Sequence, residues 1–288
     1  MVTVKIGEKE YTLKQNYSEL SQEEVFKVAY VWSQNMDFHG MNQLQLNTAR
    51  IMLFAALSDV PKHIIDTVIT ADQWVDILPY MNWVFKNAPD FKENPMPEIR
   101  FRLDRFIGPV GMLQHSTAAE MSNADTAFTS AANGKDPEKL FLLAAILYRP
   151  IRKDLNEFKK SDKWNGDIRE PFNMTKCKAR IPIFKKMPFY KTITIFLYYW
   201  SFRETKLMTF KRIFPQNQNA SGTGTNRGWA GTLLEIAHLP VFGTFQQTND
   251  EHWFTVLFEM DRQLEMQEKR ESDAERSKLD EKIRKKHK

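Results

Sequence analysis

The chain has 288 residues, is 42% hydrophobic and 27% charged, and holds only 11 Gly and 13 Pro. That composition suits one sizeable core or two small ones and excludes a largely disordered or collagen-like chain. The single Cys177 excludes an intramolecular disulfide and any multi-cysteine metal site. The net charge is +5, yet residues 152–212 alone carry 16 Lys/Arg against 6 Asp/Glu. Such a basic region suits nucleic acid, an acidic protein or a lipid headgroup, and ordinary mixed surface charge explains it equally well.

The first predicted element is a β-hairpin. Val2, Val4 and Ile6 share one face, Gly7-Glu8-Lys9 turns the chain, and Tyr11 and Leu13 continue the alternation. This start lacks the charged opening and apolar run of a signal peptide. The longest apolar stretches, residues 140–148 and 193–202, are each about half of the ~20 residues a spanning helix needs. The chain therefore reads as a soluble protein, and its single cysteine fits a reducing compartment.

Ser21-Gln22-Glu23-Glu24 has the Ser-x-x-Glu form of a capping box and predicts a helix with Val25, Val28, Ala29 and Trp32 inward. Leu46, Ala49, Met52, Leu53 and Ala56 are in register for a second helix over residues 44–57. Thr70 to Gln73 precedes Trp74, Val75, Ile77 and Leu78, a third helix that stops or kinks at Pro79. Residues 87–97 form a polar connection. Ile99, Phe101, Leu103, Phe106 and Ile107 fit either a strand or a short helix.

Ser116 and Thr117 offer N-caps to an Ala-rich helix. Asp136-Pro137 then opens a helix over residues 138–148 that is apolar on every side and so belongs in a core, with Pro150 closing it. Residues 152–173 read as a charged loop with a turn at Trp164-Asn165-Gly166-Asp167. A helix follows over residues 175–184. The aromatic stretch 189–202 allows a strand, but its length and its charged continuation favour a buried helix. After a loop at residues 216–228, Gly228-Trp229-Ala230-Gly231 opens a helix with Leu233, Leu234, Ile236 and Ala237. Residues 242–249 connect to a final helix from Glu251. The tail, residues 261–288, carries 10 Lys/Arg and 8 Asp/Glu, with favourable pairs Glu265–Lys269, Asp280–Arg284 and Glu281–Lys285. No heptad seam persists in it, so a solvated helix is expected.

The expected fold is mainly α: a helical domain over residues 15–260, a small N-terminal β-hairpin (1–14) packed on it, and a charged C-terminal helical or disordered tail (261–288).

Few residues suggest chemistry. Gly222-Thr223-Gly224-Thr225-Asn226-Arg227-Gly228 leads into a helix, as a phosphate loop does, but no strand precedes it and no Lys-Ser/Thr follows. A plain loop is the better reading. The six histidines show no metal-ligand spacing, and His63 with Asp66 merely shares a helix face. Cys177 lies between Lys176 and Lys178, which lowers a thiol pKa in principle, but no partner His is indicated, and an exposed or half-buried bystander is expected. Lys185, Lys186 and Lys191 interleave with Phe189 and Tyr190 as in single-strand-binding surfaces, although the aromatics run on into an apolar stretch instead of alternating. No catalytic, cofactor or metal residue is expected.

Four segments together resemble proteins of tailed phages and prophages of Bacteroidota. They are Lys5-Ile6-Gly7-Glu8-Lys9-Glu10-Tyr11-Thr12-Leu13 with Glu19-Leu20-Ser21; Ala124-Asp125-Thr126-Ala127-Phe128 with Leu143-Ala144-Ala145-Ile146-Leu147-Tyr148-Arg149-Pro150; Gly228-Trp229-Ala230-Gly231 with Leu234-Glu235-Ile236-Ala237; and the charged terminal helix. The resemblance implies a non-enzymatic bacteriophage morphogenesis or virion protein, either a tail assembly chaperone or a tail/neck structural component. It would work through protein–protein contacts with tail tube, tape measure or neck proteins, in the host cytoplasm during assembly or in the virion. No catalytic residue comes across. Arg149, Lys185, Lys186 and Lys191 are the expected partner-binding residues, no membrane is involved, and a homo-oligomer is among the expected partners. The alternative is a nucleic-acid-binding protein using residues 185–212, and an enzyme with dispersed residues is the third reading.

Overall fold

The structure is a computed structural model that describes residues 2–34, 42–134, 136–214, 233 and 242–286, the side chains of residues 281 and 284–286 excepted. It is mainly α, with a small N-terminal β-hairpin and a long charged C-terminal helix. The chain divides into two compact units, one made of Met1–His115 with Ala124–Thr205, the other of Ser116–Asn123 with Lys206–Lys288.

The first unit opens on the antiparallel pair β1 (Val2–Ile6) and β2 (Lys9–Leu13), with Val4, Ile6 and Leu13 buried. Its turn needs Gly7, whose φ is +62°. Helix α1 (Gln22–Gln34) starts at the expected capping box: Ser21 Oγ accepts from Glu24 N at 3.3 Å, and Glu24 Oε2 accepts from Ser21 N at 2.7 Å. Its inward residues are Val25, Val28, Ala29 and Trp32, as the spacing predicts, with Val31 added.

Asn42 caps α2 (Gln43–Leu57). Two short helices follow, α3 (Lys62–Thr67) and α4 (Ala71–Ile77). The latter gives way to a 3-10 turn, Leu78–Met81, at Pro79, because proline removes a helical N–H and clashes with the preceding turn. After α5 (Trp83–Lys86), Tyr17 ties the region together. Its hydroxyl donates to Val84 O at 2.8 Å, and its ring meets Trp83 and Phe91 edge-on at 5.0 and 5.5 Å.

Residues 98–107, readable as strand or helix, form a second hairpin, β3 (Glu98–Phe101) with β4 (Asp104–Ile107). The two-residue turn puts Arg102 at φ 57° and leaves Leu103 fully exposed. Leu103 is therefore a turn residue and not part of an apolar face.

Helix α6 (Ala118–Ala132) has Thr117 as its cap, accepting from Glu120 N at 3.2 Å. Helix α7 (Glu138–Leu147) buries Leu140, Leu142, Leu143, Ala144, Ala145, Ile146 and Leu147. An all-round apolar helix needs neighbours on several sides, and α7 packs on both α9 (Met174–Lys185) and α10 (Phe189–Thr205), while α10 also packs on α1. The charged stretch between α7 and α9 contains one short helix, α8 (Leu155–Phe158).

Residues 189–205 are helical, as their length favours, and their aromatics point into the unit. Phe196 stacks on Phe128 at 4.7 Å, Tyr199 meets Phe128 at 5.4 Å, and Trp200 meets Trp32 at 6.0 Å. Cys177 is fully buried and not a half-exposed bystander. It lies seven residues before buried Phe184, two helical turns away on the same inward face of α9.

In the second unit the stretch expected to be a plain connection holds a short helix, α11 (Phe245–Asp250), capped by Thr244. Helix α12 (Trp253–Lys286) follows and, at 34 residues, is about 51 Å long. Its root is pinned by the backbone bonds Ala118 N to Glu251 O (2.8 Å) and Trp253 N to Ser116 O (3.3 Å). Val256 joins Ala118 and Leu233 in a small core, with Phe242 and Met260 packed against it. The sequence-stretch 216–231 and Leu234, Ile236 and Ala237 lie outside the described residues.

Candidate interaction site

Arg149 follows the end of α7 and is 1% exposed. The cause is a strand-like lacing of its segment on both sides. Ile107 N donates to Arg149 O at 2.8 Å and Arg149 N to Ile107 O at 3.1 Å; on the other side Arg152 N reaches Ile168 O at 3.0 Å and Glu170 N reaches Pro150 O at 2.7 Å. Tyr148, with ψ 111°, ends α7 one residue before Arg149, for which the following Pro150 disfavours the helical region.

The lacing brings a second arginine beside the first. Arg169 is 3% exposed. It donates from Nε to Asp167 Oδ1 and from Nη2 to Asp167 Oδ2, both at 2.8 Å. Arg149 Nη2 reaches Asp167 Oδ2 at 3.3 Å, and its guanidinium lies 6.0 Å from the Phe172 ring centre. Arg169 Nη1 also donates to Leu147 O at 2.8 Å. That places a cation on the last carbonyls of α7, where the helix dipole is negative.

Burial alone would raise the Asp167 carboxyl. The charge and hydrogen bonds of Arg169 and the charge of Arg149 outweigh it and hold the group below its ordinary range. The cluster locks the exit of α7, and an enclosed guanidinium presents no surface to a partner. Sequence reading missed Asp167 and Arg169; the turn signal at Gly166-Asp167 was the visible hint.

The three lysines lie elsewhere. Lys185 and Lys186 are exposed at the end of α9, and Lys191 is half-buried in the first turn of α10. Lys185 ion-pairs with Glu138, the first residue of α7, whereas Arg149 lies beyond its last. The structure thus places Lys185 at one end of α7 and Arg149 at the other, with Lys186 beside Lys185 at the end of α9 and Lys191 in the first turn of α10. Lys176 and Arg180, also in the basic stretch, share Glu170. Tyr198, Tyr199 and Phe202 are completely buried, so bases could stack on them only by displacing core contacts.

A cleft of about 390 Å³, lined by Tyr17, Leu20, Val25, Phe91, Asn94 and Pro97 among others, opens between the start of α1 and the 91–97 connection. The Tyr17 hydroxyl beside it is already donated to Val84. His63 and Asp66 are both exposed on α3. Among the described residues no group of three His, Cys, Asp or Glu could hold a metal ion, and no helix is long and apolar enough to cross a membrane.

The other surface is α12. Beyond Met260 its side chains leave the small core, and every described residue over 265–283 is exposed. Phe254, Phe258, Leu279 and Ile283 are 48, 58, 58 and 47% exposed. The first two stack at 6.1 Å, and Phe210 meets Phe254 at 5.7 Å. Arg212 ion-pairs with Asp261 at 3.1 Å and with Glu268 at 3.2 Å. Of the charge pairs expected on this helix, Asp280–Arg284 and Glu281–Lys285 fall outside the described side chains, and a pair that was not expected, Arg262 with Glu259, forms at 2.6 Å. The surface role of the two phenylalanines is visible only once the face they occupy is known. Comparison with protein-family models, with curated proteins and with solved structures finds no match for the chain.

Proposed function

We propose that this protein is a non-enzymatic assembly factor that works through protein–protein contacts, and that those contacts serve virion morphogenesis in a tailed phage, as a tail assembly chaperone or a tail/neck component. The observation that carries the contact role is α12. A solvated helix of some twenty residues gains little stability by itself, and exposed Phe, Leu and Ile on one helix gain by being covered. A partner that buries one side of α12 supplies both. The resemblance of four sequence segments to Bacteroidota phage proteins supports the virion part.

The test is proteomic. In a phage preparation from a host expressing the gene, the structural version expects the protein in purified virions by mass spectrometry. The chaperone version expects it absent from virions but recovered with a tail-tube, tape-measure or neck protein from lysate before assembly. Absence from both would overturn the proposal.

A further inference from the structure

Helix α12 carries a stripe that is complementary to itself in reverse. Residues 254, 258, 261, 265, 269, 272, 276, 279 and 283 follow one another at steps of three and four. The mean step is close to 3.6, so they stay on one face of a straight helix for about 44 Å. In order they read Phe, Phe, Asp, Glu, Lys, Ser, Arg, Leu, Ile: apolar at both ends, acidic then basic between. The wider charge distribution follows the same division. Residues 261–275 hold 6 Asp/Glu and 3 Lys/Arg, and residues 276–288 hold 2 Asp/Glu and 7 Lys/Arg.

We infer that α12 pairs antiparallel with α12 of a second copy of this chain, about a two-fold axis between Glu268 and Lys269. In that register Phe254 meets the second copy's Ile283 and Phe258 meets its Leu279, so all four exposed apolar residues of the stripe are covered. Asp261 faces Arg276, Glu268 faces Lys269, and Arg262 and Glu275 fall opposite each other at the flanks. Every contact occurs twice, as a two-fold interface requires. A parallel pairing would set Asp261 against Asp261 and Arg276 against Arg276, and like-charge juxtaposition selects against it. Arg212 already holds Asp261 and Glu268 at one edge of the stripe. The second copy's Arg276 and Lys269 therefore meet an acidic pair shared with one cation, and the apolar ends carry most of the affinity while the charges set direction.

The inference rests on the contact role of α12 and names the occupant of its exposed face; it does not rest on the virion reading. A protein absent from virions could still pair through α12, and a monomeric chain could still bind a tail protein. The test uses the full chain. Analytical ultracentrifugation across micromolar concentrations should show a dimer of the 33.9 kDa chain. Leu279→Asp, at a residue 58% exposed in its own copy, should weaken association by about a hundredfold with unchanged circular dichroism. Arg276→Glu should weaken it by about tenfold, and mixing that variant with Asp261→Arg should recover part of the loss.

Direction is read by cysteine pairs. Glu265→Cys or Ser272→Cys alone should not crosslink on oxidation, because the two copies of each are offset by about 10 Å along the axis. A mixture of the two should crosslink. A wild-type monomer throughout that range, an unaffected Leu279→Asp, or Ser272→Cys crosslinking to itself as readily as to Glu265→Cys would each overturn the inference.

Discussion

Of the ten residues of α7, seven are buried, whereas over residues 265–283 of α12 every described side chain is exposed. The first helix is held by what surrounds it. Fully burying a Leu or Ile side chain contributes roughly 1.5–3 kcal/mol, and its exit is closed by Arg169 on Leu147 O. The second has only the weak support of its own sequence: Glu, Lys, Arg and Gln of good helix propensity, and pairs such as Arg262 with Glu259 at 2.6 Å, each contributing a few tenths of a kcal/mol. A helix can thus be specified by its neighbours or by itself, and only the second kind keeps a face available for another molecule.

The largest test of that contrast is at the exit of α7. Asp167→Asn should destabilise the chain by about 3–5 kcal/mol, because two enclosed guanidinium groups lose their shared counter-charge; chemical denaturation measures it. The same pair gives a pH dependence. The folded carboxyl of Asp167 is held below its unfolded value. Its contribution is therefore complete above the ordinary carboxylate range, near 4, and lost as pH falls through that range towards the depressed native value. Melting temperatures from pH 7 to 3 should fall more steeply in the wild type than in Asp167→Asn.

Next, Leu143→Ala, at a residue with no exposure, should cost about 2–5 kcal/mol. Ser21→Ala, which removes the cap of α1, should cost about 1 kcal/mol. Gln267→Ala, on α12 away from the stripe, should change unfolding by less than about 0.5 kcal/mol. A loss at Gln267 comparable with that at Leu143 would break the comparison.

The same contrast explains what could be read in advance. The hairpin, the capping box of α1 and the burial of α7 are local patterns, and each is legible in a few adjacent residues. Arg149 was not, because what buries it comes from Ile107 on one side and residues 167–170 on the other, joined only by the lacing of 149–152. Beside a helix end an arginine looks like a surface residue until that pairing is known. The 98–107 hairpin stayed ambiguous because its turn, Arg102-Leu103, lacks the Gly or Asn that usually marks one. Pro182 would ordinarily argue against a helix interior, yet α9 runs through it. The antiparallel stripe of α12 lay open in the sequence throughout, but it reads as charge noise until 254 and 258 are known to be outward.

The buried thiol of Cys177 turns the chain into its own reporter. With no second cysteine to react, a thiol reagent labels the protein only when α9 lifts from its packing, so labelling kinetics count openings of the interior of the first unit. Cysteines introduced on α12 react without waiting for that event, and the two signals separate in time.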